Sequence, residues 1–241
     1  MLKNFLKLFR SDCQIIANYA MILSVISGPL LVIVFMKFLF PAFSDFIYTK
    51  TGFPINEYYT LIAITLICII PFMIGLVYSK VLNGDRDFQS EGLLTVQDAN
   101  RNFLFMRMLI AALICFILVW LTIILVKPVP TEGWLRNLFI ACLLSVQAPF
   151  VYMLIDTFGK KKVRRLSLWI LCSMFLITVP FGLLVHHPWN YFAFFSPLYW
   201  VAWSWVIRSP MESLLYGTIA VILTSGVIVL LFRNYNMTRR Q

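Results

Sequence analysis

Leu104-Phe-Met-Arg-Met-Leu-Ile-Ala-Ala-Leu-Ile-Cys-Phe-Ile-Leu-Val-Trp-Leu-Thr-Ile-Ile-Leu-Val126 is the stretch that settles what kind of chain this is. Past Arg107 it holds no charge at all. A helix rises about 1.5 Å per residue and the hydrocarbon core of a bilayer is about 30 Å thick, so a spanning helix needs roughly 20 mostly apolar residues. Segment 104–126 meets that length, and so do 18–40, 59–79, 134–155, 166–185 and 214–232. The first of these is itself long enough to span, so no cleavable signal peptide is expected ahead of it.

The whole chain agrees with its most apolar segment. Of 241 residues, 61% are hydrophobic and only 12% charged, against roughly 25% charged in an ordinary soluble domain. Mean hydropathy is +0.87. That composition excludes disorder, a secreted disulfide scaffold and a soluble enzyme domain. Cys13, Cys68, Cys115, Cys142 and Cys172 lie far apart, with no metal or redox spacing, and read as small core residues. The expected fold is an all-α polytopic membrane protein: one domain over 1–241 with six transmembrane helices.

The net charge of +10 is informative through its placement. With the N-terminus in the cytoplasm, the inner segments hold Lys3, Lys7, Arg10, Lys80, Arg86, Arg101, Arg107, Lys160, Lys161, Lys162, Arg164, Arg165, Arg233, Arg239 and Arg240. The outer segments keep Lys37, Lys50, Lys127, Arg136 and Arg208. Basic residues gather on the cytoplasmic side, so both termini are expected inside the cell membrane.

Four segments are more than plain spans. At the N-terminus (1–17), Leu2, Phe5, Leu6 and Phe9 form an apolar stripe at helical spacing with Lys3, Lys7 and Arg10 off it. This predicts an amphipathic helix lying on the inner leaflet; a short extension of the first span is the plainer alternative. The inner loop 83–103 opens on an Asn83-Gly84 turn signal and carries Asp85, Asp87, Glu91 and Asp98. Its mixed stretch 93–100 is readable as a short helix docking into a cytosolic partner or as a solvated loop. The basic run 160–165 is explained by topology, with a second partner contact as the alternative.

The fourth is the outer segment 186–213. Between Trp189 and Trp205 stand Tyr191, Phe192, Phe194, Phe195, Tyr199, Trp200 and Trp203, interrupted by Pro197 and flanked by Pro188 and Pro210. It is too broken to span and too oily for a free loop. Non-helical backbone enters a membrane only where protein shields it. Two short helices in a re-entrant hairpin between spans five and six are therefore expected; an interfacial aromatic belt is the alternative.

Catalytic chemistry is not written in the chain. It has no G-x-x-x-x-G-K-[ST], no H-E-x-x-H and no G-x-S-x-G. His186 and His187 are adjacent and far from any acid or Cys, and Asp156 has Lys160 one turn away as an ion-pair partner. No membrane-embedded carboxylate pair or Arg ladder marks an ion-coupled carrier or voltage sensor. Pro29, Pro71, Pro149 and Pro180 can kink four spans and open a path between them. Such a path suits a bulky amphipathic or apolar cargo, driven by energy from another polypeptide.

This layout resembles the six-span permease subunit of type-2 ABC exporters, whose members export drugs, lipids, polysaccharides or peptides. Leu2–Arg10 is similar to the family's interfacial connecting helix. Glu91-Gly92-Leu93-Leu94, with Phe103 to Arg107 entering span three, is similar to its first coupling helix. Phe195-Ser-Pro-Leu-Tyr-Trp-Val201 resembles its re-entrant segment. Where that family often carries Ser or Thr followed by Pro, this chain has Gln97-Asp98-Ala99, which points to a divergent drug- or peptide-export branch.

The resemblance implies a subunit that is not itself an enzyme and holds no cofactor. ATP and Mg would belong to two cytosolic ABC ATPase subunits; a second permease subunit, identical or related, and membrane lipid complete the partners, and nucleic acid is not among them. It implies ATPase coupling through Glu91, Gly92, Leu93, Leu94, Thr95, Gln97, Asp98, Asn100 and Arg101. It also implies an outer gate of Phe195, Pro197, Tyr199, Trp200 and Trp203. Two other readings stand beside it: the substrate-capture subunit of an ATPase-linked vitamin uptake system, and a non-transport intramembrane protein.

Overall fold

The computed structural model describes residues 21–89, 97–129, 133–158, 174–185, 192–207 and 209–238, and their regular structure is all helical. The expected interfacial helix (Leu2, Phe5, Leu6, Phe9), the coupling residues Glu91 to Thr95, the basic run 160–165 and the His186-His187 pair lie outside the described residues.

The first helix is longer than its apolar content suggests. α1 (Met21–Val34) runs through a π turn (Phe35–Leu39) into α2 (Phe40–Thr51). The sequence places the end of this span at residue 40, just before Pro41, because proline removes a backbone donor and crowds the carbonyl four residues back. The π turn meets that demand: Phe40 N–H reaches back to Phe35 O, widening the helix where Pro41 would clash. The helix then ends at Gly52, whose φ of 72° only glycine adopts cheaply and whose N–H bonds Tyr48 O at 2.9 Å.

After a 3₁₀ turn (Ile55–Tyr58) come α3 (Tyr59–Ile67) and α4 (Ile69–Gln89), separated at Cys68 just ahead of Pro71. α4 continues through Asn83-Gly84, where the sequence predicts a turn. A helical glycine costs only about 1 kcal/mol against alanine, too little to stop a helix already running. Gln97, Asp98, Asn100 and Arg101 form the first turns of α5 (Gln97–Val126), continuous with the membrane-length segment. α6 (Trp134–Ser145) and α7 (Gln147–Phe158) divide at Val146, just ahead of Pro149. α8 (Met174–Leu184), α9 (Pro197–Val206) and α10 (Pro210–Thr238) complete the bundle.

Among the described residues, five helical runs are long and apolar enough to cross a membrane: Val25–Thr51, Ile55–Ser79, Leu104–Val126, Trp134–Ile155 and Pro210–Arg233. Of the expected span 166–185, residues 166–173 lie outside the described residues, and the rest holds the apolar helix Met174–Leu184, shorter than a crossing. Two runs form the centre: Trp134–Ile155 is 78% and Ile55–Ser79 61% buried, against 22% for Pro210–Arg233. α4 packs on α7, α7 packs on α10, and α1 and α5 both lie against α4. The outward surface stays apolar, with Phe105, Leu109, Leu113, Ile117 and Leu121 exposed along one face of α5 and Ile26, Leu30 and Leu31 on α1. A surface of that kind suits hydrocarbon rather than water.

At the crossing of α4 with α7 a glycine lets the backbone of one helix approach that of the other. A Cβ on Gly75 would stand 2.8 Å from Ala148 O and 2.8 Å from Val151 Cβ, whereas one on Gly28 would meet nothing nearer than Met73 Cγ at 3.9 Å. Gly75→Ala is therefore expected to force α4 off α7 and lose about 1–3 kcal/mol, outweighing the roughly 1 kcal/mol gained in helix propensity. Thermal melts of the detergent-solubilised protein check this: Gly75→Ala melts lower than wild type, and Gly28→Ala does not.

Candidate functional site

The described polar and aromatic groups concentrate where α9 folds back onto α10. Pro197 opens α9 with its ring on a position that needs no N–H, behind Ser196 in extended backbone. Ser196 is fully buried and its hydroxyl accepts from Thr178 Oγ1 of α8 at 2.8 Å. α8 comes close because residue 182 is glycine: any Cβ there would collide with the Tyr199 ring. α9 stops at Val206, and α10 begins at Pro210.

Two sets of hydrogen bonds hold that corner. Ser204 Oγ donates to Ser213 O at 2.9 Å and Ser213 Oγ donates to Ser204 O at 2.7 Å, a reciprocal pair across the turn. Arg136, in the first turn of α6, points Nη2 at the end of α9, against Ser204 O (3.1 Å), Trp205 O (2.7 Å) and Ile207 O. The last carbonyls of a helix have no intrahelical partner and carry its negative dipole end, so a guanidinium is a fitting cap. By sequence Arg136 is an outer-segment charge. Nothing in the sequence pairs it with residues 204–207; only the fold does.

Five rings meet beside this corner. Phe194, Tyr199 and Trp200 are mutually 5.1–5.2 Å apart. Trp203 stands 6.2 Å from Tyr199, and Tyr216 of α10 lies 5.6 Å from Trp200 and 6.4 Å from Trp203. Of the expected gate residues, the structure thus gathers Tyr199, Trp200 and Trp203 and adds Phe194 and Tyr216. Phe195 turns away, 66% exposed and 6.2 Å from Phe175 of α8. Tyr216 could not be found from sequence because it belongs to the next apolar helix.

Deeper in the bundle, Gln147 follows the break at Val146 and donates from Nε2 to Thr224 Oγ1 of α10 at 2.9 Å; both residues are buried. Thr224 in turn donates to Ala220 O at 2.7 Å. Arg107, an inner-side charge by sequence, is only 1% exposed. Among the described residues no three His, Cys, Asp or Glu side chains come together as a metal site.

Residues 12–232 match the model of the family described as "Fluoroquinolones export permease protein Rv2686c-like". The chain belongs to this Rv2686c-like family. No curated protein and no solved structure matches it. As an Rv2686c-like protein it is a transmembrane export permease, and its oily helical bundle is the body of a transporter.

The Arg136 contacts tie two elements of this permease that are far apart in sequence. Charge-assisted hydrogen bonds are worth about 1.5–3 kcal/mol each, so Arg136→Ala should release the end of α9 at a cost of about 2–3 kcal/mol. Arg136→Lys, which keeps the charge at the helix end, should recover part of it. Limited proteolysis of the purified protein reads this out: faster cleavage within 204–210 is expected in Arg136→Ala, intermediate in Arg136→Lys.

Proposed function

We propose that the chain is the permease subunit of an ATP-driven ABC exporter whose cargo is a fluoroquinolone or a similar drug. The observation that carries this reading is the match over 12–232 to a family named for fluoroquinolone export, on a bundle of apolar helices of spanning length. The chain contains no nucleotide-binding P-loop sequence, so ATP and Mg belong to cytosolic ATPase partners. Two permease subunits, identical or related, enclose the pathway, with both termini in the cytoplasm of the cell membrane and six spans in each subunit.

In this reading the ATPases dock on the inner loop, where Glu91 to Thr95 precede the start of α5 at Gln97, Asp98, Asn100 and Arg101. Because Gln97, Asp98, Asn100 and Arg101 belong to the same helix as the membrane-length part, Gln97–Val126, a push on them is transmitted along a rigid rod. The segment before the last span is a re-entrant hairpin closing the outer end of the path, with Tyr199, Trp200 and Trp203 as its gate. The N-terminal stripe Leu2, Phe5, Leu6 and Phe9 rides on inner-leaflet lipid.

Affinity purification from gently solubilised membranes should bring down a P-loop ATPase. Asp98→Lys combined with Glu91→Lys should abolish drug-stimulated ATP hydrolysis while leaving the amount of membrane-inserted permease unchanged. A permease that purifies alone and carries drug without ATP would overturn the proposal.

A further inference from the structure

Three of the largest enclosed side chains carry polar atoms and belong to three different helices. Tyr78 of α4 and Arg107 of α5 are each 1% exposed, and Tyr152 of α7 is 0% exposed. Contacts elsewhere along these helices fix their heights. Tyr59 bonds Val126 O; Arg107 stands nineteen residues before Val126, and Tyr78 nineteen after Tyr59, on helices of opposite direction. Cys115 Sγ lies 4.0 Å from Leu144 O; Arg107 is eight residues before Cys115, and Tyr152 eight after Leu144. Gly75, packed on Ala148 and Val151, brings Tyr78 beside the same turn of α7. Tyr78, Arg107 and Tyr152 therefore form one layer, towards the end of the bundle where α5 begins.

A guanidinium keeps its charge in any protein environment. Arg136, half-buried, settles on the carbonyls of a helix end. Arg107 is enclosed, and an enclosed charge is costly unless an opposite charge stands with it. Asp156 is in place to supply one. It follows Tyr152 by one helical turn, which puts the two positions on the same face of α7. Side chains lean toward the N-terminus of their helix. α5 begins at this end of the bundle and α7 finishes there, so positions 107 and 156 lean toward one another's level. The acids on α4 and α5 are further off. Asp85 and Asp87 lie seven and nine residues past Tyr78, and Asp98 lies nine before Arg107. Those separations are roughly 10–14 Å along a helix. The sequence offers Asp156 a partner in Lys160; the fold brings Arg107 to its level.

We propose that Asp156 is the counter-ion of Arg107 and that this pair keys α5 to the central helix α7. The keying role rests on the export reading above and deepens it. Arg107 lies less than two turns past Arg101, so it is where a push on Gln97 to Arg101 passes from α5 into the centre of the bundle. Apolar contact alone leaves a helix able to slide or turn against its neighbour. A buried pair of opposite charges fixes height and rotation together, which is the register role such pairs serve best.

Thermal melts of the solubilised permease and ATP hydrolysis by the complete transporter test the two parts separately. Arg107→Gln and Asp156→Asn each leave one enclosed charge alone, and each should lower the melting temperature by about 10 °C. The double variant R107Q/D156N removes both charges and should regain most of that loss, because neutralising a buried pair costs far less than breaking it. Should a single variant fail to accumulate in membranes, accumulation of the double variant is the equivalent supporting result. Lys160→Gln should melt as wild type does. Asp156→Asn melting like wild type, an equal fall in Lys160→Gln, or a double variant no better than the worse single would each overturn the pair. The double variant, folded but without the charges, should lose drug-stimulated ATP hydrolysis several-fold. Wild-type stimulation in that variant would overturn the keying role and leave the pair. A wild-type transporter whose ATP hydrolysis ignores drug would overturn the export reading and the keying role with it, while the melts still decide the pair.

Discussion

Inside hydrocarbon a backbone amide or carbonyl has no water to turn to, so every break in a helix must be mended by the protein itself. This bundle breaks its helices repeatedly, and each break lies beside a proline. Pro41 is met by the π turn at Phe35–Leu39, Pro71 by the change of helix at Cys68, and Pro149 by the change at Val146. The same constraint governs the ends. Tyr59 donates to Val126 O at 2.7 Å and Thr60 to Pro128 O at 2.9 Å, so the carbonyls that close α5 are used by the next helix over. Gln147, placed beside its own break, spends its side-chain donor on Thr224 and links the central α7 to the peripheral α10. Pro29, by contrast, lies inside α1 without a break, so only three of these prolines coincide with a change of helix.

The corner between α9 and α10 is the most demanding case, because two helix ends meet where the chain reverses. A helix C-terminus carries about half a negative charge, and the Arg136 guanidinium lies directly on it. The arrangement keeps a full positive charge close to apolar helices without an exposed ionic face, because its field is spent on neutral carbonyls. Ser204 and Ser213 then complete the corner by exchanging hydroxyl bonds with one another's carbonyls. Beside this corner stand the half-buried rings of Trp200, Trp203 and Tyr216.

How much of this is legible in the sequence depends on the range of the interaction involved. Helix identity over 104–126 and 134–155 is readable because uninterrupted apolarity at that length has one solution in a bilayer, and the apolar runs in the structure carry the same limits. The end of the first helix is not readable in that way. Pro41 is a stop signal by local rules, and only the π turn, which leaves no compositional trace, carries the helix on to Thr51. Asn83-Gly84 misleads for the related reason that a turn-forming pair is a weak preference set against an established helix. Arg107 and Arg136 carry charge-placement information that topology absorbs completely, which hides their second role as enclosed or capping groups. Tyr216 escapes because ring clusters are assembled by contacts between neighbouring helices, not along one.

The glycines show how closely the site depends on the bundle around it. Tyr199 can lie in the ring cluster only because α8 offers no side chain at Gly182, and α10 can approach α6 only because Gly217 leaves room for the Phe139 ring, whose Cζ would stand 2.5 Å from any Cβ there. Both glycines lie within apolar helices, where the residue costs about 1 kcal/mol against alanine. That cost is the reverse side of close approach: membrane helices gain little from hiding apolar surface from lipid that is equally apolar, so their association relies on close contact and hydrogen bonds, both of which favour small residues at crossings. The aromatic surface beside α10 is therefore not a patch laid on a finished scaffold. It exists where α9, the turn ahead of it and α10 bring their rings within 5–6 Å of one another, and a change of helix spacing along α8 or α10 changes how Tyr199, Trp203 and Tyr216 pack.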